Sequence, residues 1–184
     1  MGVLLRLIIG KPGQESEKKN IVWNMIGSFL YALSSMVLSI AVVQIAGEDA
    51  GGIFTFAFST FGQHMFMAVY FGIRPFQITD MERRYSFGDY LGLRRVTCLA
   101  AGLAAAGYVG IHDYTFEKGA VVFLMVLYKV IDALADTYEA EFQRTGRLYL
   151  TGKSNAFRTL LSVTVFLSAL VAAKELVTAS VLAV

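Results

Sequence analysis

The 184-residue chain is 56% hydrophobic and only 16% charged, well under the roughly 25% charge of a typical soluble domain. That composition excludes an ordinary water-solvated globule. The net charge of +2, with no basic run interleaved with stacking aromatics, gives no footing for a nucleic-acid partner. A single cysteine, Cys98, excludes an intramolecular disulfide framework and a CxxC-type metal site.

Residues 1–20 read as a cytoplasmic or interfacial segment. The apolar runs Val3–Leu5 and Leu7–Ile9 are interrupted by Arg6, broken by Gly10, Pro12 and Gly13, and followed by Lys18 and Lys19. A secretory signal would place its positive charge ahead of a longer apolar region, so the segment is expected to be retained. From residue 21 the chain reads as an all-α, polytopic transmembrane bundle. A membrane-spanning helix needs about 20 apolar residues to cross roughly 30 Å of hydrocarbon. The predicted spans are 21–46, 52–73, 96–111, 119–138 and 157–173, with a sixth apolar segment starting at 176 and too short to cross. The third is rich in small residues, from Ala100 to Gly110, which favour close helix packing.

Charge placement sets the orientation. With the N-terminus inside, thirteen Lys and Arg fall on cytoplasmic segments, against Lys118 and Lys174 outside. This is the positive-inside asymmetry expected of short loops, and it puts the N-terminus on the cytoplasmic side.

Lys129, Asp132 and Asp136 interrupt the fourth span at spacings of three and four, so they share one helix face. Lys129 lies about 15 Å along the helix from Gly119, near the midplane, where each charge costs about 2.5–3.5 kcal/mol on insertion scales. An ion pair between Lys129 and Asp132 would offset part of that cost, and Asp136 is expected nearer the cytoplasmic edge. Two readings stand: a pair that pins helix packing, with Asp136 solvated at the boundary, or the lining of a water-accessible cavity. Asn24, Gln63 and His64 are weaker candidates for the same cavity. Each also suits a hydrogen bond to a neighbouring helix, as do Ser28, Ser35 and Gln44. No metal site is expected from these residues.

The segment Arg74 to Arg95 mixes aromatics with arginines beside two spans. It suits an interfacial anchor, or recognition of a lipid-linked phosphate by Arg74, whose backbone Pro75 is expected to hold out of a regular helix. Asp80 and Glu82 are expected to pair with Arg83 and Arg84, and Arg158 to snorkel at the start of the fifth span. Thr151-Gly152-Lys153-Ser154 imitates the end of a phosphate-binding loop, but Arg147 stands where that motif needs glycine.

The runs Tyr70–Asp80 (YFGIRPFQITD) and Tyr85–Arg94 (YSFGDYLGLR) resemble polysaccharide flippases of the multidrug/oligosaccharidyl-lipid/polysaccharide exporter superfamily. So do Asn24 and Gly27 in the first span and Glu141–Lys153 (EFQRTGRLYLTGK). The similarity runs over most of residues 20–160. It implies a transporter of lipid-linked oligosaccharide, with membrane lipids as surroundings, without catalytic residues or cofactor, and built of two six-helix lobes. This chain then supplies most of the first lobe, and the C-terminal lobe or a second chain completes it. A cation-coupled multidrug exporter of the same superfamily, with Asp132 or Asp136 as the ion site, is the first alternative. A non-transporting assembly subunit is the second, and a membrane glycosyltransferase or phosphotransferase the third.

Overall fold

The computed structural model describes residues 17–184, so the expectations for the first sixteen residues lie outside the described part. Among the described residues the chain is all-helical, without strand. Helix α1 (Glu17–Ala46) begins four residues ahead of the predicted span, with Glu17 in its first turn, where an anion complements the helix dipole. After Gly47 the chain enters α2 (Glu48–Thr55), a π-helical turn (Phe56–Phe61) and α3 (Gly62–Tyr70). Right-handed dihedrals at both junctions make these one rod.

The rod stops at a left-handed pair, Phe71 (φ 39°) and Gly72 (φ 69°), three residues short of the expected Ile73. That break redirects the chain into α4 (Ile73–Thr79). Arg74 is therefore helical, contrary to expectation. Pro75 sits in the first turn of α4, where backbone N–H groups have no intrahelical acceptor and the missing donor costs nothing.

Helix α5 (Phe87–Ile111) starts nine residues before the predicted span, at a capping box. The Ser86 hydroxyl accepts from the Asp89 N–H at 3.3 Å, and the Asp89 carboxylate accepts from the Ser86 N–H at 2.8 Å. Helices α6 (Phe116–Arg144), α7 (Leu148–Ala173) and α8 (Leu176–Ala183) complete the order. Both α6 and α7 also outrun their predicted spans. Hydropathy marks where the chain turns polar, whereas backbone hydrogen bonding continues through polar residues until a cap or a left-handed residue ends it. By length and composition, α1 and α7 are each apolar enough to cross a membrane.

Helix α6 is the axis of the assembly, touching α2, the π turn, α3, α4, α5, α7 and α8. At one end, Phe54, Phe58, Met125, Phe166, Leu170 and Leu176 close an apolar core, with the Phe54 and Phe58 rings stacked at 5.3 Å. A smaller core joins Val69, Cys98, Ala101 and Ala133.

The most extensive pairing is α1 along α7. It depends on two glycines. A Cβ on Gly152 would lie 2.2 Å from the Trp23 carbonyl, and one on Gly27 would lie 2.5 Å from the Gly152 carbonyl. The phosphate-loop look-alike is thus a backbone-to-backbone crossing. Gly152→Val should lower stability by about 1–3 kcal/mol through overpacking, read by thermal unfolding in detergent. Gly102→Ala, which meets nothing within 4 Å, should stay within about 0.5 kcal/mol of the parent.

Candidate functional site

The face of α6 that carries Lys129, Asp132 and Asp136 continues through Glu139 and Gln143, at spacings of three, four, three and four. All but Gln143 are buried. Opposite stands a polar stripe on α1 formed by Asn24, Ser28, Tyr31 and Ser35, at spacings of four, three and four. Between them lies a polar cavity of about 360 Å³, whose walls include Asn24, Tyr31, Arg74, Asp136, Glu139 and Arg158.

The charges around it alternate in sign. Buried Arg94 donates to Asp136 at 3.1 Å, and Asp136 also accepts from Arg74. Arg74 lies 3.9 Å from Glu139 and donates to Gln143 at 3.2 Å. Glu139 accepts from Arg158 at 2.9 Å, and Arg158 reaches Asp132 at 3.0 Å. The Tyr31 hydroxyl donates to Asp132 at 3.1 Å and accepts from Lys129 at 3.4 Å. The order is Arg94, Asp136, Arg74, Glu139, Arg158, Asp132, Tyr31, Lys129. Three guanidiniums thus balance three carboxylates.

Several expectations change. Lys129 does not ion-pair with Asp132; Tyr31 stands between them, and Arg158 takes the carboxylate. On one helix, residues three apart are neighbours, but the arginine on α7 brings a planar fork that also holds Glu139. Arg158 therefore turns inward and does not snorkel. Asp136 is buried at 6% exposure, not solvated at a boundary. Arg94, placed in an interfacial segment by its charge, is 0% exposed and donates to Thr137, the Val69 carbonyl and Asp136. Its position was legible from α5 itself. The buried face Cys98, Ala101 and Ala105, extended back one turn, meets Arg94 and Tyr90. Glu139 was missed because it lies beyond the apolar stretch, although the period of α6 predicts it.

The weaker candidates separate. Asn24 lines the polar cavity, and Gln63 lines a second cavity described below. His64 is exposed, bonded to the Thr60 carbonyl at 2.6 Å, and lies on neither. Glu82 pairs with Arg84 as expected. Asp80 instead clasps the connector, accepting from the Arg84 and Tyr85 N–H groups and from the Tyr90 hydroxyl at 2.7 Å. The Tyr90 hydrogen bond holds the Asp80 carboxyl below the ordinary carboxylate range. No family model, curated protein or solved structure matches this chain.

Asp136 is the member whose loss leaves most charge uncompensated, since Arg94 and Arg74 both depend on it. Asp136→Asn should destabilise the protein by about 3–5 kcal/mol. The measurement is thermal unfolding, with membrane abundance alongside. Parental stability would mean the buried arginines find other partners.

Proposed function

We propose that this chain forms one lobe of a polytopic flippase that moves lipid-linked oligosaccharide precursors across the cytoplasmic membrane for cell-surface polysaccharide synthesis. The observation that carries this reading is a cavity lined by alternating arginines and carboxylates inside helices whose outer faces are apolar. Met25 and Phe29 on α1, Leu99 and Leu103 on α5, and Phe157 and Leu161 on α7 are all exposed. Contiguous apolar surface of this kind marks contact with lipid or protein, not water. Ionisable groups turned inward from such helices mark a transport path.

In this reading α1, the rod of α2 and α3, α5, α6 and α7 each cross the bilayer, and the N-terminus is cytoplasmic. Arg74 and Arg158 keep 20% and 23% side-chain exposure, whereas Arg94 keeps none. Arg74 and Arg158 are therefore the two that meet substrate, exchanging a carboxylate for the phosphate of a lipid carrier. A planar guanidinium binds either group through paired hydrogen bonds. In this reading a second lobe would close the cavity. A cation-coupled exporter is less favoured, because Asp132 and Asp136 are each already held by arginine.

Orientation is tested by cysteine labelling in a Cys98→Ala background. Cysteines replacing Asp49 and Glu117 should react with an impermeant thiol reagent in intact cells. Reaction instead at positions 84 and 147 would reverse the topology. Transport is tested with Arg74→Lys in the complete transporter. A lysine keeps the charge but loses the fork, so export should fall about tenfold or more at unchanged abundance. Export at the parental rate would sink the reading.

A further inference from the structure

Lys129 is the member of the charge chain that no carboxylate touches. It is 3% exposed, and its ammonium lies 4.0 Å from the Phe58 ring centre, 5.5 Å from that of Tyr31 and 6.0 Å from that of Phe66. Its one polar contact among the described residues is the Tyr31 oxygen at 3.4 Å. It forms the inner wall of a second cavity of about 210 Å³, on the far side of Tyr31 from the first, with Ser59 and Gln63 at the rim. The π turn brings this wall together, since Phe58 and Ser59 both belong to it. Such insertions recur at functional sites.

The Ser34 and Ser35 hydroxyls donate to the Tyr31 and Ala32 carbonyls, and the Tyr31 hydroxyl donates to Asp132. Among the described residues Ser59 and Gln63 have no hydrogen-bond partner. Left with unused hydrogen-bonding capacity at the cavity are the Lys129 ammonium, which can only donate, and the Ser59 hydroxyl and Gln63 amide, each of which can donate as well as accept.

We propose that this second cavity binds a single carboxylate group, and, resting on the flippase reading, that the glycan carried bears a carboxylated sugar. Burying an ammonium without an opposite charge in contact is costly; the aromatic faces offset only part of that cost, and an anion supplies the remainder. The volume is several times the roughly 30 Å³ share of one water, too roomy for a bare halide. A doubly charged phosphate would sit one phenol away from the Asp132 carboxylate and be repelled by it. A carboxylate carries one charge and two oxygens, one for Lys129 and one for the Gln63 amide or Ser59 hydroxyl. Tyr31 joins the two cavities, so one substrate can present phosphate to Arg74 and carboxylate to Lys129.

The test is binding to this chain, labelled with 13C-lysine in nanodiscs, with the Lys129 signal assigned through Lys129→Arg. Glucuronate should shift that signal saturably, and Gln63→Ala should weaken binding about tenfold. Gln63 is exposed, so its removal leaves the fold intact. Glucose and chloride should leave the signal unmoved. Absence of a glucuronate shift overturns the proposal, as does an equal shift with chloride or glucose. Because no export is measured, this result stands apart from that of Arg74→Lys: binding without export would sink the flippase reading alone.

Discussion

The structure depends on drawing three carboxylates and three guanidiniums largely into its interior without leaving any of the six alone. A buried charge costs several kcal/mol, and only well-placed opposite charges and hydrogen bonds repay it. Here repayment is arranged in sequence, with Asp136 and Glu139 each between two arginines and Asp132 between Arg158 and the Tyr31 hydroxyl. No element supplies both signs in the right places. Helix α6 carries the acids, while α4, α5 and α7 each bring one arginine and α1 brings the phenol that passes the chain on to Lys129. Ion pairs therefore fix how three helices dock on α6, and the Tyr31 hydrogen bond ties in the fourth.

The backbone devices serve that docking. The left-handed pair at Phe71 and Gly72 ends one rod and starts α4 at the height of Asp136. The capping box at Ser86 starts α5 early enough for Arg94 to fall on its buried face. The Gly27–Gly152 crossing lets α1 and α7 approach until Tyr31 and Arg158 reach the same carboxylate. Packing and electrostatics are thus coupled, and a bulky residue at the crossing also disturbs the charges some turns away.

Outside this polar seam several helices expose large apolar side chains, among them Met25, Phe29, Leu99, Leu103, Phe157 and Leu161. The two cavities differ in chemistry although Tyr31 borders both. One is balanced, with arginines that hold carboxylates. The other is unbalanced, with a single ammonium among aromatic rings. In the proposed transporter, a substrate that meets both would carry more than one anionic feature.

The sequence by itself determined the all-helical class, the approximate helix positions and the face of α6 that carries the charges. Those follow from local rules: apolar run length, the 3.6-residue period and turn residues. It also placed Arg74 beside the site, although for a reason the helix α4 contradicts. Only the tertiary structure decided which charges meet. Asp136 finds its arginines 62 and 42 residues back along the chain, and Asp132 takes Arg158 over the nearer Lys129. Spacing shows which side chains share a face. It does not show which remote helix packs there, because that choice is made by shape, by two close-fitting glycines and by the cost of leaving any buried charge unpaired.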